Sequence, residues 1–199
     1  MSRALSAFRP LAHALPARAL PTPGQLAALG TVLCLYRPDS SELGGWKRAV
    51  SAHACQGMDS EGIRESLCFV DVRGRCCWRL YLLPDSDYLA WDRLVGAFPA
   101  RPEPISDGGV AERLWRRLAV RLGGEPWRMC ALRLHAAEEG LALAASLAPL
   151  SSLGAGIARH IADVEGAEGE LWVDDCCCCA TAARHGPRAD PADPPLIRL

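Results

Sequence analysis

The chain has 199 residues, of which 50% are hydrophobic, and its formal net charge at pH 7 is −1. This length is enough to bury one hydrophobic core, so we expect one compact domain with tails. The near-neutral charge gives no strong attraction to nucleic acid or to an anionic membrane, and no apolar run reaches the length of a transmembrane helix. The sequence therefore predicts neither a nucleic-acid partner nor insertion into a membrane.

Cysteine is abundant, with ten residues in the chain. Several cysteines lie inside apolar, strand-like runs, as core residues do, namely Cys34, Cys68, Cys76 and Cys130. This placement argues against the disulfide framework of a small secreted protein. Pro10 and Pro16 also interrupt the apolar run that a signal peptide would need. We therefore predict a reducing, cytoplasmic location.

The N-terminal part of the chain begins with residues 1–24, which contain four prolines and predict a flexible arm. One helical turn is predicted over residues 25–29. A strand is predicted over Thr31–Tyr36, where apolar and β-branched residues predominate. Two glycines at 44–45 indicate a turn. The pattern of residues 46–55 fits a strand or a helix, and we favour a second strand, because the hairpin that follows needs partners.

The clearest local pattern lies in the next twenty residues or so. Polar and apolar residues alternate over residues 64–72 and again over 76–83, with a break between the two runs. Gly74 can supply the positive φ of a tight turn, and Asp71 can accept a hydrogen bond from the turn's backbone. Pro84 ends the second run, because it has no N–H to donate. The pattern predicts an antiparallel hairpin.

A helix is predicted directly after this hairpin. Residues 85–87, Asp-Ser-Asp, offer side-chain oxygens for an N-cap, and apolar residues then recur at helical spacing as far as Phe98. We predict that this helix packs on the second strand of the hairpin and that the two elements share one hydrophobic core. The side chains that pack together in it are Trp78, Leu80, Leu82, Trp91 and Leu94.

The second half of the chain begins with residues 99–109, which are rich in proline and glycine and predict a linker. Residues 110–122 place apolar side chains at helical spacing and are followed by two glycines, which predicts an amphipathic helix. Alternation over residues 127–135 and again over 141–148 predicts a second hairpin.

The C-terminal part predicts a helix, a short strand and a tail. Ser151 or Ser152 can cap a helix in which apolar residues recur at helical spacing through Val164. A last short strand is predicted over residues 171–173. Residues 184–199 are rich in proline and predict a disordered tail.

These elements predict an α+β fold in which a mainly antiparallel sheet of hairpins carries helices packed on one side. We expect residues 25–183 to form a single domain that can be divided into two half-units, 25–98 and 110–183, joined by the linker. The sequence contains no nucleophile elbow, phosphate-binding loop or zinc-protease motif, so it predicts no enzyme of these kinds.

Two stretches of the sequence resemble a known family. The segments SLCFVDVRGRCCWRLYLLPDSDYLAWDRLV and LAALGTVLCLYRPD, which together span roughly residues 26–98, are similar to segments of the HemS/ChuX family of hemin-transport and hemin-degrading proteins. The resemblance implies a cytosolic protein that binds hemin for its uptake, transport or trafficking in iron acquisition, with a haem-uptake transporter component as a partner. Haem degradation is implied by the resemblance alone, since the sequence shows no electron supply for it.

A haem site needs an axial donor, commonly imidazole, thiolate or phenolate, and cationic groups for the propionates. The chain offers His53, His135 and His160 as axial candidates, and Tyr81 as a further cofactor-binding residue. His135 ends a predicted strand, and His160 lies on a predicted helix. Arg79 corresponds to a basic position of the family's segment, so the resemblance implies that it binds a propionate.

A run of four cysteines, residues 176–179, indicates a different chemistry. Cys176 and Cys179 have the C-x₂-C spacing of zinc ligands, which predicts a site for zinc or another metal. Two alternatives to haem binding therefore stay open: a small cysteine-based metal or redox protein, and a non-haem interaction or regulatory module on the same fold. The sequence also leaves open whether a homodimer completes a site.

Overall fold

The structure is a computed structural model that describes residues 20–59, 62–102, 126–174 and 196–197. Within these ranges the α-helices are α1 (Pro23–Ala27), α2 (Gly44–Arg48), α3 (Tyr88–Val95) and α4 (Ser152–Glu165). The strands are β1 (Thr31–Tyr36), β2 (Ser51–Asp59), β3 (Gly62–Val70), β4 (Cys76–Tyr81), β5 (Ala100–Pro102), β6 (Trp127–Ala137), β7 (Ala142–Leu147), β8 (Ala167–Glu168) and β9 (Leu196–Ile197). None of these helices is long and apolar enough to cross a membrane. The predicted helix over residues 110–122 lies outside the described residues.

All of these strands belong to one sheet, in which the order is β5-β2-β3-β4-β1-β6-β7-β9 and β8 pairs with β6. Neighbouring strands are antiparallel, except that β5 is parallel to β2 and β8 is parallel to β6. The predicted α+β fold with a mainly antiparallel sheet is therefore confirmed. Both predicted hairpins are present, as β3–β4 and β6–β7. Since β1 lies between β4 and β6, it joins the two halves of the chain in one sheet.

Local side-chain contacts fix the turn of the first hairpin and the start of the helix after it. Asp71 Oδ1 accepts hydrogen bonds from two backbone N–H groups of the turn, both at 2.9 Å, and Gly74 adopts a φ of 77°. The Asp87 side chain accepts a hydrogen bond from the N–H of Ala90 at 2.8 Å and so caps α3. The predicted turn and the predicted N-cap are both confirmed.

The sheet carries an apolar core on each face. Face A is covered by α1, α2 and α3, and its strand residues include Val32, Cys34, Phe69, Trp78, Leu80 and Leu132. Face B is covered by α4, and its strand residues include Leu33, Leu35, Tyr81, Met129 and Ala131. The expectation of helices on one side therefore holds for three helices, whereas α4 packs on the opposite face. Small residues on α4, such as Ala155 and Ala158, let that helix approach the strands closely.

Some element boundaries in the first half differ from those predicted. Helix α1 begins at Pro23, inside the predicted arm, because the Thr22 side chain caps it and proline suits the first helical position. Residues 46–48 belong to α2 and not to a strand. The helical turn brings the Trp46 ring against Phe69, with ring centroids 5.8 Å apart, so packing on face A outweighs the local strand preference.

Short strands also occur where the sequence indicated none. Ala100–Pro102 of the predicted linker pairs with β2, since a residue before proline favours an extended backbone. In place of a strand over 171–173, the structure has β8 and a single bridge from Val173 to Leu150. Leu196–Ile197 pairs with β7, so these two residues differ from the disordered tail that was expected. Both residues are apolar, and their backbone pairs with the edge of β7 that faces away from β6.

The predicted core of Trp78, Leu80, Leu82, Trp91 and Leu94 is present on face A, and replacing Trp91 tests it. The Trp91 side chain is 0% exposed and donates a hydrogen bond from Nε1 to Glu65 Oε2 at 2.8 Å. Trp91→Ala should lower the free energy of unfolding by about 3 to 5 kcal/mol, because it leaves a cavity and removes that hydrogen bond. Urea unfolding measures the loss.

The control is Tyr88→Ala, because Tyr88 is the first residue of the same helix and is 52% exposed. Its replacement should change the free energy of unfolding by about 0.5 kcal/mol or less. Equal losses for the two variants would contradict the packing described here.

Candidate functional site

The register of β2, β3 and β4 brings two rows of side chains together on face B. Paired residues on neighbouring strands point to the same face of a sheet. The first row is His53, Cys68 and Arg79, and the second row is Cys55, Ser66 and Tyr81. Leu35 and Leu33 continue the two rows on β1, where face B becomes apolar. We call the six residues of these rows the polar cluster.

Three donor atoms of the polar cluster lie close enough to bind one metal ion. One ring nitrogen of His53 and the Sγ atoms of Cys55 and Cys68 all lie within 4.8 Å of one another. The two sulfur atoms are 3.3 Å apart and each cysteine is 5% exposed, whereas His53 is half-buried. Two sulfurs bound to a tetrahedral zinc ion at about 2.3 Å each lie about 3.8 Å apart. The thiols therefore need to separate by about 0.5 Å, which small side-chain rotations supply.

Hydrogen bonds between thiols set the pKa values in this region. Cys55 donates to Cys68, and this bond together with burial raises the pKa of Cys55. The same bond lowers the pKa of Cys68, but the hydrogen bond that Cys68 donates to Cys76 and the burial of Cys68 outweigh it and raise that pKa to about 12. The pKa of Cys76 is lowered, because its sulfur accepts this hydrogen bond and lies near the Arg79 guanidinium, against the effect of burial. Among these thiols, Cys76 therefore loses its proton most readily.

A hydrogen-bonded ion pair connects the polar cluster to the end of α4. Arg79 donates from Nη1 to Glu165 Oε2 at 3.3 Å and from Nε to Ser66 Oγ at 3.2 Å. The Tyr81 hydroxyl donates to Glu165 Oε1 at 2.7 Å, and the Arg79 guanidinium lies 4.8 Å from the centre of the Tyr81 ring. Burial, followed by the Glu165 carboxylate, raises the pKa of Tyr81 well above its ordinary value. Glu165 therefore fastens α4 to β4.

The structure brings three of the predicted cofactor-binding residues together, since His53, Arg79 and Tyr81 all belong to the polar cluster. His135 lies elsewhere, on β6, where its Nε2 is 2.9 Å from Ser146 Oγ on β7. Strand β1 separates β6 from the polar cluster. His160 is half-buried on α4. Cys176 and Cys179 lie outside the described residues.

Sequence reasoning missed Cys55 as a candidate metal ligand and Glu165 as the acid that pairs with Arg79. The spacing of His53 and Cys55 did contain a signal, because residues i and i+2 of a strand share a face. The spacing alone does not identify a metal site, because the third residue, Cys68, is set directly opposite His53 only by the pairing of β2 with β3. Glu165 gave no such signal, since 86 residues separate it from Arg79 in the chain.

Comparison with known proteins assigns no family to the chain. No model of a protein family matches the sequence, and no curated protein matches it. The resemblance to HemS/ChuX segments therefore stays a prediction, and the polar cluster is the feature from which a function can be inferred.

Tyr81→Phe tests the link between α4 and the polar cluster. At about pH 7 the variant should be less stable than the wild type by about 1 to 2 kcal/mol, because a hydrogen bond to a carboxylate is lost. The pKa of Tyr81 is raised in the folded state above its ordinary value of 10.0. Its stabilising contribution is therefore complete below about pH 10 and is lost as the pH rises further. The difference in stability between the two proteins should shrink above about pH 10.

Thermal unfolding of both proteins across this pH range measures the difference. Tyr88→Phe is the matched control, because Tyr88 is exposed on α3 and, within the described ranges, the hydrogen bonds to Glu165 come from Arg79 and Tyr81. A stability difference for Tyr81→Phe that stays constant up to about pH 11 would contradict the raised pKa.

Proposed function

We propose that the protein binds a thiophilic metal ion, above all Zn²⁺, through His53, Cys55 and Cys68. The observation that supports this proposal most directly is the approach of their three donor atoms to within 4.8 Å of one another on two neighbouring strands. Because the pairing of β2 with β3 already fixes the three backbone positions, little conformational order has to be gained when an ion binds.

The chemistry of the donors favours one class of ion. Thiolate and imidazole ligands suit Zn²⁺ and Cu⁺, whereas Mg²⁺ and Ca²⁺ prefer oxygen ligands. Two thiolates and one neutral imidazole carry two negative charges, which balance a divalent ion and leave the buried site neutral. A monovalent ion at the same three ligands would leave a net negative charge. Charge balance therefore favours Zn²⁺ over Cu⁺.

Binding of the ion is coupled to release of protons. Cys55 and Cys68 both have raised pKa values, so at neutral pH they are thiols that lose their protons when they become ligands. All of the cysteines in the described ranges are free thiols. The reducing, cytoplasmic location predicted from the sequence would keep the ligands in this form.

Zinc affinity of the purified full chain tests the proposal. The wild type should bind zinc at the polar cluster, and Cys55→Ser and Cys68→Ser should each weaken this binding by about 100-fold or more, because each removes a thiolate ligand. Competition against a chromophoric zinc chelator measures the affinity. His53→Ala should weaken binding in the same direction, since imidazole is the third ligand.

Two control variants separate the polar cluster from other cysteines. Cys130→Ser replaces a buried thiol on face A and should leave the zinc affinity unchanged. Replacement of all the cysteines in residues 176–179 by serine removes the tail thiols, and zinc at the polar cluster should persist. Zinc binding that is lost with the tail cysteines and retained in Cys55→Ser would contradict the proposal.

Haem binding at the polar cluster is a second candidate, favoured by the position of His53 in one row with Arg79. An imidazole can supply the axial ligand, and a guanidinium can bind a propionate. Arg79 is engaged by Ser66 and Glu165, so hemin has to displace these contacts when it binds.

Hemin titration of the full chain tests this second candidate. Hemin should bind with micromolar or tighter affinity, which corresponds to about 8 kcal/mol or more. His53→Ala should move the Soret maximum, whereas Arg79→Ala should weaken binding without moving it. His135→Ala is the control, because His135 lies on β6 and not in the polar cluster. A spectrum indifferent to every His, Cys and Tyr substitution would instead favour a non-haem interaction module.

A further inference from the structure

A histidine and a serine contact each other on face B, away from the polar cluster. Nε2 of His135, on β6, lies 2.9 Å from Oγ of Ser146, on β7. Residues of a strand alternate between the two faces, and Met129 and Ala131 of β6 belong to face B, so His135 lies on that face as well. Strand β1 separates β6 from the polar cluster. The pair is therefore distinct from the proposed metal site.

The core of face A holds these two side chains in register. Leu134 of β6 is directly opposite Ala145 of β7, and both are buried in that core, so a slip of one residue would turn an apolar side chain to face B. His135 is opposite Ala144, whose small side chain leaves room for the ring to lean diagonally toward Ser146. The strand pairing thus positions the histidine against the serine before any other molecule binds.

A positively charged side chain lies beside the serine. Arg133 is directly opposite Ser146 across β6 and β7, which places their Cβ atoms about 4.5 to 5.5 Å apart on the same face. Arg133 is exposed, whereas His135 and Ser146 are half-buried. A molecule from solvent can therefore contact Ser146 Oγ, and the long side chain of Arg133 can bring its guanidinium to the same molecule.

We infer that Ser146 is a nucleophile, that His135 is its general base and that the protein hydrolyses carboxylic esters at this site. A serine hydroxyl is a weak nucleophile until an adjacent base takes its proton, and the two groups must lie within about 2.6 to 3.2 Å of each other. The contact between Nε2 and Oγ meets this requirement. When Nε2 carries no proton, it accepts the hydrogen bond that the Ser146 hydroxyl donates. Neither residue belongs to the polar cluster, so this activity does not depend on metal binding.

The reaction proceeds in two steps through an acyl group on the serine. Ser146 Oγ attacks the ester carbonyl carbon and forms a C–O bond, while the hydroxyl proton passes to His135 Nε2. The Arg133 guanidinium stabilises the negative charge that develops on the carbonyl oxygen. The C–O bond to the alcohol then breaks, and the alcohol leaves with the proton from Nε2. A water molecule that His135 deprotonates attacks the acyl group, releases the carboxylic acid and restores the serine.

Labelling of the full chain with an alkyl fluorophosphonate tests this inference, because the reagent phosphonylates activated serines. Ser146 should react about 100-fold faster than Ser152, which is exposed at the start of α4 and is the internal reference. Mass spectrometry identifies the modified residue, and this comparison within one protein needs no substitution. His135→Ala should slow the labelling of Ser146 by about 100-fold, since it removes the base.

Hydrolysis of 4-nitrophenyl butyrate is the second measurement, made with a zinc chelator present so that the proposed metal site contributes nothing. Ser146→Ala should lower kcat/KM by about 100-fold or more. Arg133→Gln should lower it by about 10-fold or more, and Arg133→Lys should retain more activity than Arg133→Gln because it keeps the positive charge. Arg128→Gln is the control, since Arg128 is also exposed on β6 but is paired with Tyr36 on β1, away from β7.

Three results would overturn the assignment. Fluorophosphonate that modifies Ser146 no faster than Ser152 would show that the serine is not activated. A labelling rate that is unchanged in His135→Ala would show that the histidine is not the base. Ester hydrolysis that is unaffected by Ser146→Ala would show that the reaction takes place elsewhere. None of these results bears on zinc binding at the polar cluster, which is measured separately.

Discussion

Antiparallel pairing of β2, β3 and β4 is the constraint on which the polar cluster depends. A shift of one residue between β2 and β3 would turn His53 and Cys55 to the opposite face from Cys68. Face A resists such a shift, because Ala52 on β2 pairs with Phe69 on β3 in its buried core, and a slip of one residue would put Ser51 or His53 opposite Phe69 instead. The buried core on face A therefore fixes the positions of the face B side chains that we propose as metal ligands.

Cysteines on the two faces of the sheet have different surroundings. On face A, Cys34 and Cys130 are paired across β1 and β6 among apolar side chains, and burial raises the pKa of Cys34. These thiols behave as small core residues. On face B, the thiols of Cys55 and Cys68 contact each other beside a half-buried imidazole. One residue type thus serves packing on face A and, in the function proposed here, metal coordination on face B.

The parts of the structure that could be predicted are those decided by neighbours in sequence. The turn at Gly74 and the cap at Asp87 depend on side chains within a few residues, and both are present. Contacts between distant residues decide the rest. Trp46 lies in a helix and not in a strand because its ring packs on Phe69, and sequence pattern near Trp46 cannot show that contact. The same limit applied to the candidate site: Arg79 was recognised, but its partner Glu165 was not.

X-ray absorption spectroscopy at the zinc edge tests most directly whether the side chains on face B bind zinc. The sample is the zinc-loaded full chain in which the cysteines of residues 176–179 are replaced by serine. Coordination by the side chains on face B predicts sulfur neighbours at about 2.3 Å from the ion, together with one nitrogen at about 2.0 Å. A first shell that contains oxygen or nitrogen atoms at about 2.0 to 2.2 Å and no sulfur would contradict metal binding by Cys55 and Cys68.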